Sequence, residues 1–246
     1  MSEQWKMAVI GGAIGAALAV VIVFAAGRFG YLPGTSDTRI HDYLLAHPDL
    51  LVDMTDKLQT QEADKEQRTL QAAVDKVGLK RFINPSVAYL TGPADAKNTF
   101  VEFFDYNCGH CRNNFPVVKK FYETHKNDTR FAFVDYPVFG DASTAAARAS
   151  VATRRQGDRY IALHFQLMSE AMPIDANLLS ADAKKAGVDM GRLDNDMKDP
   201  NIDRTLATAH KLAEEARFQG TPTFIVNGKV HEGEITEAEL KALLKS

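Results

Sequence analysis

The spacing of apolar and polar positions divides the chain into segments of different character. Met7 to Ala26 (MAVIGGAIGAALAVVIVFAA) carries no charge. Its length of about twenty residues, at ~1.5 Å rise each, matches the roughly 30 Å hydrocarbon core of a bilayer. This predicts an N-terminal membrane anchor within residues 1–27. A cleaved signal peptide, whose apolar region usually runs about 7–15 residues, is the alternative. Residues 28–38 (RFGYLPGTSDT) mix Gly, Pro, Ser and Thr and predict a linker. From Arg39 to about Arg81 apolar residues return at helical spacing, with Leu51, Met54 and Leu58 on one stripe and Leu70, Val74 and Val77 on another. Gln59 to Arg68 between them is polar apart from Ala63. A helix with so little apolar surface is poorly served alone. Residues 39–82 therefore predict a helical arm that assembles protomers into a homo-oligomer, dimer or trimer. An arm lying on its own catalytic domain is the alternative.

From residue 83 the period changes. Val87–Thr91 and Thr99–Asp105 predict strands, and the second (TFVEFFD) is apolar almost throughout, as a buried central strand should be. Phe115–Lys126 predicts a helix and Arg130–Val138 a strand. Residues 141–218 are alanine-rich and helical in pattern, with helices expected at Ala142–Arg155, Arg159–Ala171, Ala181–Ala186 and Ile202–Phe218. Thr223–Val226 predicts a strand, Asn227-Gly228 a hairpin turn, and Glu237–Lys245 a short amphipathic helix. The fold class is thus α/β: residues 83–246 form a central sheet of order β-β-α-β, helical insert, β-β-α.

Composition adds two constraints. The net charge is −3 with no basic stripe, which argues against nucleic-acid binding. The chain has two cysteines, Cys108 and Cys111, spaced as Cys108-Gly109-His110-Cys111 between a strand and a helix. Nothing is left to staple the fold or to complete a four-ligand zinc site, so this pair predicts redox chemistry. A thiolate, not a thiol, attacks a disulfide. At the start of a helix the unpaired N–H groups favour negative charge on Cys108, and His110 adds a donor or a positive charge. Cys108 is expected to be the exposed attacking thiol, with Cys111, one turn on, resolving the mixed disulfide. Glu102 stands inside the apolar strand, where an unpaired carboxylate is expensive. His164 is expected to be a core or interdomain histidine.

FVEFFDYNCGHC, the helical insert and the distant Thr221-Pro222 of GTPTF together resemble the DsbA-like family of thiol–disulfide oxidoreductases, over about residues 85–246. The resemblance implies a thioredoxin-like sheet and a cis Thr221–Pro222 bond beside the sulfurs, where substrate binds. It also implies that Glu102 is a buried acid moving a proton to or from Cys111. The stretch IHDYLLAHPDLLVDMTDKLQ further resembles the oligomerising arm of the suppressor-of-copper-sensitivity protein C family. Together these imply an oxidase or isomerase in the bacterial periplasm or at the cell-envelope exterior, anchored in the inner membrane. Its substrates would be reduced or misoxidised envelope proteins, served by a membrane redox partner. No cofactor and no metal are expected, because the reactive group is the protein's own disulfide. The alternative function is copper(I) binding by the two thiolates, soft ligands for a soft ion.

Overall fold

The computed structural model describes residues 18–26, 28, 36–170 and 173–245, which fall into two compact units, 1–65 and 66–246. In the first unit the described part of the apolar segment, residues 18–26, is helical. Most of the expected membrane helix lies outside the described residues. No described helix is long and apolar enough to cross a membrane. Helix α1 (Ser36–Ala46) starts inside the expected linker. The helical run from Arg39 to Arg81 is broken twice. Pro48 has no N–H and disfavours helical backbone at His47, so α1 ends and α2 (Asp49–Val77) begins anew. The His47 ring closes the break, with Nδ1 2.9 Å from Tyr43 O and the ring stacked on Tyr43. The second break is Gly78, whose φ of 84° separates α2 from α3 (Leu79–Phe82). In the first unit Ile40, Tyr43, Leu44, Leu45, Leu51, Val52, Met54 and Leu58 are all exposed.

The second unit is built on a five-stranded sheet of order β1-β3-β2-β4-β5. The strands are β1 (Tyr89–Thr91), β2 (Asn98–Phe104), β3 (Thr129–Asp135), β4 (Thr223–Val226) and β5 (Lys229–Glu232). Strand β2 is central, parallel to β3 and antiparallel to β4, which explains its apolar run. Side chains alternate across it. Phe100 and Phe104 join Phe131, Phe133 and Phe224 on one face, packed by α4 (Gly109–His125), the insert helices α5 (Asp141–Thr153), α6 (Arg159–Ser169), α7 (Ala176–Lys185) and α8 (Met190–Asp196), and α10 (Glu237–Leu244). Val101, Phe103, Ala132, Val134 and Ile225 face the other way, onto Leu70 and Val74 of α2, Phe82 of α3 and the insert helix α9 (Asn201–Glu215). The insert therefore lies on both faces of the sheet.

The arm's two stripes have different fates. Leu70 and Val74 are buried against the sheet, so the last turns of α2 serve the catalytic domain. Two glutamines one turn apart on this helix close the open edge of β5. Gln67 Nε2 donates to Val230 O at 2.8 Å, Gln71 Nε2 to Gly228 O at 2.8 Å, and Val230 N–H to Gln71 Oε1 at 3.1 Å. The expected Asn227-Gly228 turn is present, with φ of 49° and 83°.

Candidate active site

The site lies where β2 ends and α4 begins. Asp105 arranges that junction. Its buried carboxylate accepts the backbone N–H groups of Asn107 at 2.8 Å, Val138 at 2.6 Å and Phe139 at 3.1 Å, while its carbonyl accepts from Cys108 N–H at 3.1 Å. Cys108 is thereby set as the N-cap of α4, and Cys111 N–H points at its sulfur from 3.5 Å. The helix starts at Gly109, as the expected strand–helix junction at Cys108 requires, and runs on through Phe115 to His125.

The second wall is the loop before β4. The Thr221–Pro222 bond is cis, and Cys108 Sγ–H donates to Thr221 O at 3.2 Å. Pro222 thus stands beside the sulfurs with no N–H of its own to offer. Both cysteines are free thiols. Cys108 has no exposed surface, contrary to the expected exposed thiol, because the Thr221 carbonyl and Cys111 cover it. It is nonetheless less deeply set than Cys111.

The electrostatics separate the two thiols. The Cys108 thiol is lowered to about 6, first by a hydrogen bond from the Cys111 thiol; burial opposes this. The Thr221 side chain and the backbone N–H groups of Cys111 and His110 lower it further. Thr221 Oγ1 is buried without a hydrogen-bond partner, so its hydroxyl is free to turn towards the sulfur. Burial pushes the Cys111 thiol far up, and the bond it gives to Cys108 adds to this. One sulfur is a thiolate at neutral pH, and the other keeps its proton.

Glu102 shares the sheet face of Phe100, Phe104 and the two cysteines, flanked across the strands by Phe133 and Phe224. It is 2% exposed and its Oε2 has no hydrogen-bond partner. Burial, then the negative charge of Cys108, raises its carboxyl to about 8, so it is protonated at neutral pH. A sheet-edge position reaching solvent is excluded by its pairing on both sides. His110 is exposed on the first turn of α4, with Nδ1 2.8 Å from Glu234 Oε1. Gly109 has open space where a side chain would stand. His164 is buried among Phe104, Phe115 and Phe133 with Nδ1 3.2 Å from Tyr106 Oη, and burial lowers it to about 3. It is a neutral core histidine. Among the described residues no cluster of three His, Cys, Asp or Glu could hold a metal ion.

Sequence reasoning missed Asp105, Arg112, Asn114 and Glu234. Arg112 Nη1 donates to Tyr106 O at 2.8 Å beside the sulfurs, and Asn114 binds both main-chain groups of Ile235. Asp105 had a visible signal, an acid closing a strand just before the cysteine. Glu234 had none, because its contact spans 124 positions.

A five-stranded mixed sheet, a CxxC pair at a helix N-terminus and a facing cis-proline loop define a thioredoxin-fold protein with a dithiol site. The comparisons agree. The family described as Thioredoxin matches residues 86–246, and the chain belongs to that family. The family described as Copper resistance protein ScsC N-terminal domain matches residues 37–65. A thioredoxin-like oxidoreductase from Silicibacter pomeroyi is 30% identical, with a TM-score of 0.63 over 68% of this chain and 96% of its own. Salmonella enterica Typhimurium BcfH is 25% identical, TM-score 0.68, over 93% and 98%. Proteus mirabilis ScsC in a transitional conformation is 23% identical, TM-score 0.61, over 87% and 95%, and shows the fold. The structural neighbours are thus ScsC and DsbA-like proteins of thioredoxin fold. The curated relatives include the Na(+)/H(+) antiporter NhaA 3 of Salinispora tropica, 26% identical over 166 residues. The chain spans about a quarter of its length (67% of this chain, 25% of that protein).

Proposed function

We propose that the chain is a thiol–disulfide oxidoreductase that exchanges disulfides with cysteines of cell-envelope proteins through Cys108 and Cys111. The observation that carries this is the asymmetry of the pair: one sulfur poised as a thiolate near neutral pH, the other deep and protonated, beside a cis proline. In the reductive direction the Cys108 thiolate attacks a substrate disulfide, forming a mixed disulfide and releasing one substrate thiolate. Cys111 then gives up its proton and attacks Cys108 Sγ. The enzyme disulfide forms and the second substrate sulfur leaves as a thiolate, which takes up a proton. Oxidation of a substrate dithiol runs the same steps backwards. Glu102, with an ordinary carboxyl at 4.5 raised to about 8, is the proton store on the Cys111 side. Thr221 and Pro222 border the sulfur where an extended substrate strand would lie, and Gly109 and His110 complete the CGHC loop.

The envelope location, an anchor at residues 7–26 and a membrane redox partner belong to the same reading, as do the division at 82/83 and a homo-oligomeric arm at 39–82. The arm is supported by the exposed apolar residues of the first unit and by the match to the ScsC N-terminal domain. Replacing Cys108 with Ser is expected to abolish exchange with glutathione disulfide, whereas full activity without that sulfur would overturn the reading. Acid-quenched alkylation in cells separates the two directions. An oxidised pair at steady state makes the protein an oxidase, and a reduced pair an isomerase or reductase.

A second reading is copper(I) held by the two thiolates, soft ligands for a soft ion, beside an arm that matches the Copper resistance protein ScsC N-terminal domain. Its signature is stoichiometric copper(I) binding lost in both single cysteine variants.

A further inference from the structure

The loop that joins β5 to α10, Gly233 to Thr236, crosses the mouth of the site and is pinned along its length. Gly233, at φ 83°, donates its N–H to Pro222 O at 2.9 Å. Two residues on, Ile235 is gripped by buried Asn114 of α4. Asn114 Nδ2 donates to Ile235 O at 2.8 Å and Ile235 N–H donates to Asn114 Oδ1 at 2.9 Å. Between these anchors His231 Nε2 bonds to Glu234 O at 3.0 Å. With its main chain fixed to the proline loop on one side and to the cysteine helix on the other, Glu234 places its carboxylate 2.8 Å from His110 Nδ1. Surface ion pairs between long, freely rotating side chains contribute little. Here the imidazole is short and sits on the first turn of a helix, and the acid comes from a pinned loop.

We propose that Glu234 is a positioning residue of the redox site, fixing the His110 imidazole and holding its proton whether Cys108 and Cys111 are thiols or a disulfide. This deepens the exchange reading and rests on it. The ionisable groups facing His110 are Glu234 from the loop and Cys108 from its own helix N-terminus. Arg112 on the same helix is engaged by Tyr106 O, and His231 is turned to the Glu234 carbonyl. His110 is raised above its ordinary 6.5, first by the hydrogen bond to Glu234, then by that residue's charge, then by Cys108. The last contribution exists only when Cys108 is a thiolate. Without Glu234, reducing the disulfide would therefore draw a proton onto His110, because coupling between two sites is reciprocal. With Glu234 the imidazole is biased towards its protonated form in either redox state.

The consequence is that His110 contributes less to the proton count of reduction, while Glu102, also raised by the Cys108 charge, contributes alike with and without Glu234. Two glutathione thiols give two electrons to the enzyme disulfide; its S–S bond breaks and one forms in glutathione disulfide. Of the two protons released, one goes to Cys111. The other goes to solvent, because Cys108 stays a thiolate above about 6. One proton released gives an equilibrium constant that rises by up to about tenfold per pH unit, and by about eightfold between pH 6.5 and 7.5 once the protonation of Cys108 near 6 is counted. In Glu234→Gln, His110 takes up more of that proton on reduction, and the rise is expected to be shallower than in the wild type.

The test is equilibration of the full chain with glutathione and its disulfide at pH 6.5, 7.0 and 7.5, read by mass-tagging alkylation. The His110 ring proton is titrated by NMR in the oxidised form alongside. The expected results are a flattened profile in Glu234→Gln and an imidazole midpoint that falls towards 6.5. A wild-type slope retained in the variant, with an unshifted imidazole, would overturn the proposal. A wild-type chain that does not equilibrate with glutathione at all would remove the exchange reading instead. The imidazole titration would still decide whether Glu234 holds His110.

Discussion

Glu102 makes a stability cost and a catalytic need fall on one atom, and replacing it with Gln separates them. The folded protein holds the Glu102 proton up to about 8, whereas the unfolded chain releases it near 4.5. Between those values the folded state binds more protons than the unfolded one, so stability falls as pH rises. At 1.36 kcal/mol per unit, the loss amounts to about 3 kcal/mol at pH 7 and approaches about 5 kcal/mol above pH 8. These are upper figures, since any relaxation on ionisation reduces them. Glutamine keeps the shape and cannot ionise. Urea unfolding of the reduced protein at pH 5 and pH 8 therefore isolates this contribution as a difference between wild type and variant, since the ionising Cys108 thiol adds stability in both across the same interval. Relative to Glu102→Gln, the wild type should lose about 3–4 kcal/mol more stability from pH 5 to pH 8. In the same variant the Cys111 step should slow by about a hundredfold, as for loss of a general acid–base. Parallel pH dependences in the two proteins would refute the argument, because they would mean that Glu102 is solvated or ionised in the fold.

Three further predictions come from neighbouring features. Thiolate absorbance near 240 nm should titrate with a midpoint near 6, making Cys108 about nine-tenths ionised at pH 7 against about 1% for a thiol at 9.0; a midpoint above 8 would contradict the site electrostatics. Because this value is lowered, the ionised thiol stabilises the reduced fold above pH 9, and that contribution is lost as pH falls through about 6. Replacing Asn114 with Ala strands two main-chain groups of Ile235 and should cost about 2–3 kcal/mol in denaturant melts, with an unchanged midpoint as the refuting result. Replacing exposed Leu51 and Leu58 with Asp should lower the mass of the full chain in detergent by sedimentation if the arm assembles protomers; a wild type that is already monomeric would sink that part of the reading.

The sheet was legible because its central strand is apolar from Phe100 to Phe104 apart from Glu102, and the helical insert because alanine and the 3.6-residue period dominate it. Helix α8 was not legible: Met190–Asp196 is seven residues with one buried side chain, Leu193, and it is started by the cap Asp189, whose carboxylate accepts from Arg192 N–H. The start of α4 was legible as the strand–helix junction at the cysteines; what was hidden is that the Cys108 sulfur itself takes the capping role usually filled by Ser, Thr, Asp or Asn. Along the arm, periodicity showed two stripes but not where each is spent; burial of Leu70 and Val74 depends on a sheet face assembled from distant strands. The cysteines and the proline were findable as short motifs. The residues that aim them, Asn114 and Glu234, act across 121 and 124 positions and leave no local pattern.

The central claim, exchange with protein cysteines through Cys108, is tested most directly by trapping. In a Cys111→Ser chain expressed in its own cells, the mixed disulfide cannot be resolved, and Cys108 should remain bonded to its partners. The account predicts adducts of higher mass on non-reducing gels that collapse on reduction and vanish when Cys108 is also replaced by Ser. A folded Cys111→Ser protein that forms no such adducts, or forms them equally without Cys108, would contradict it.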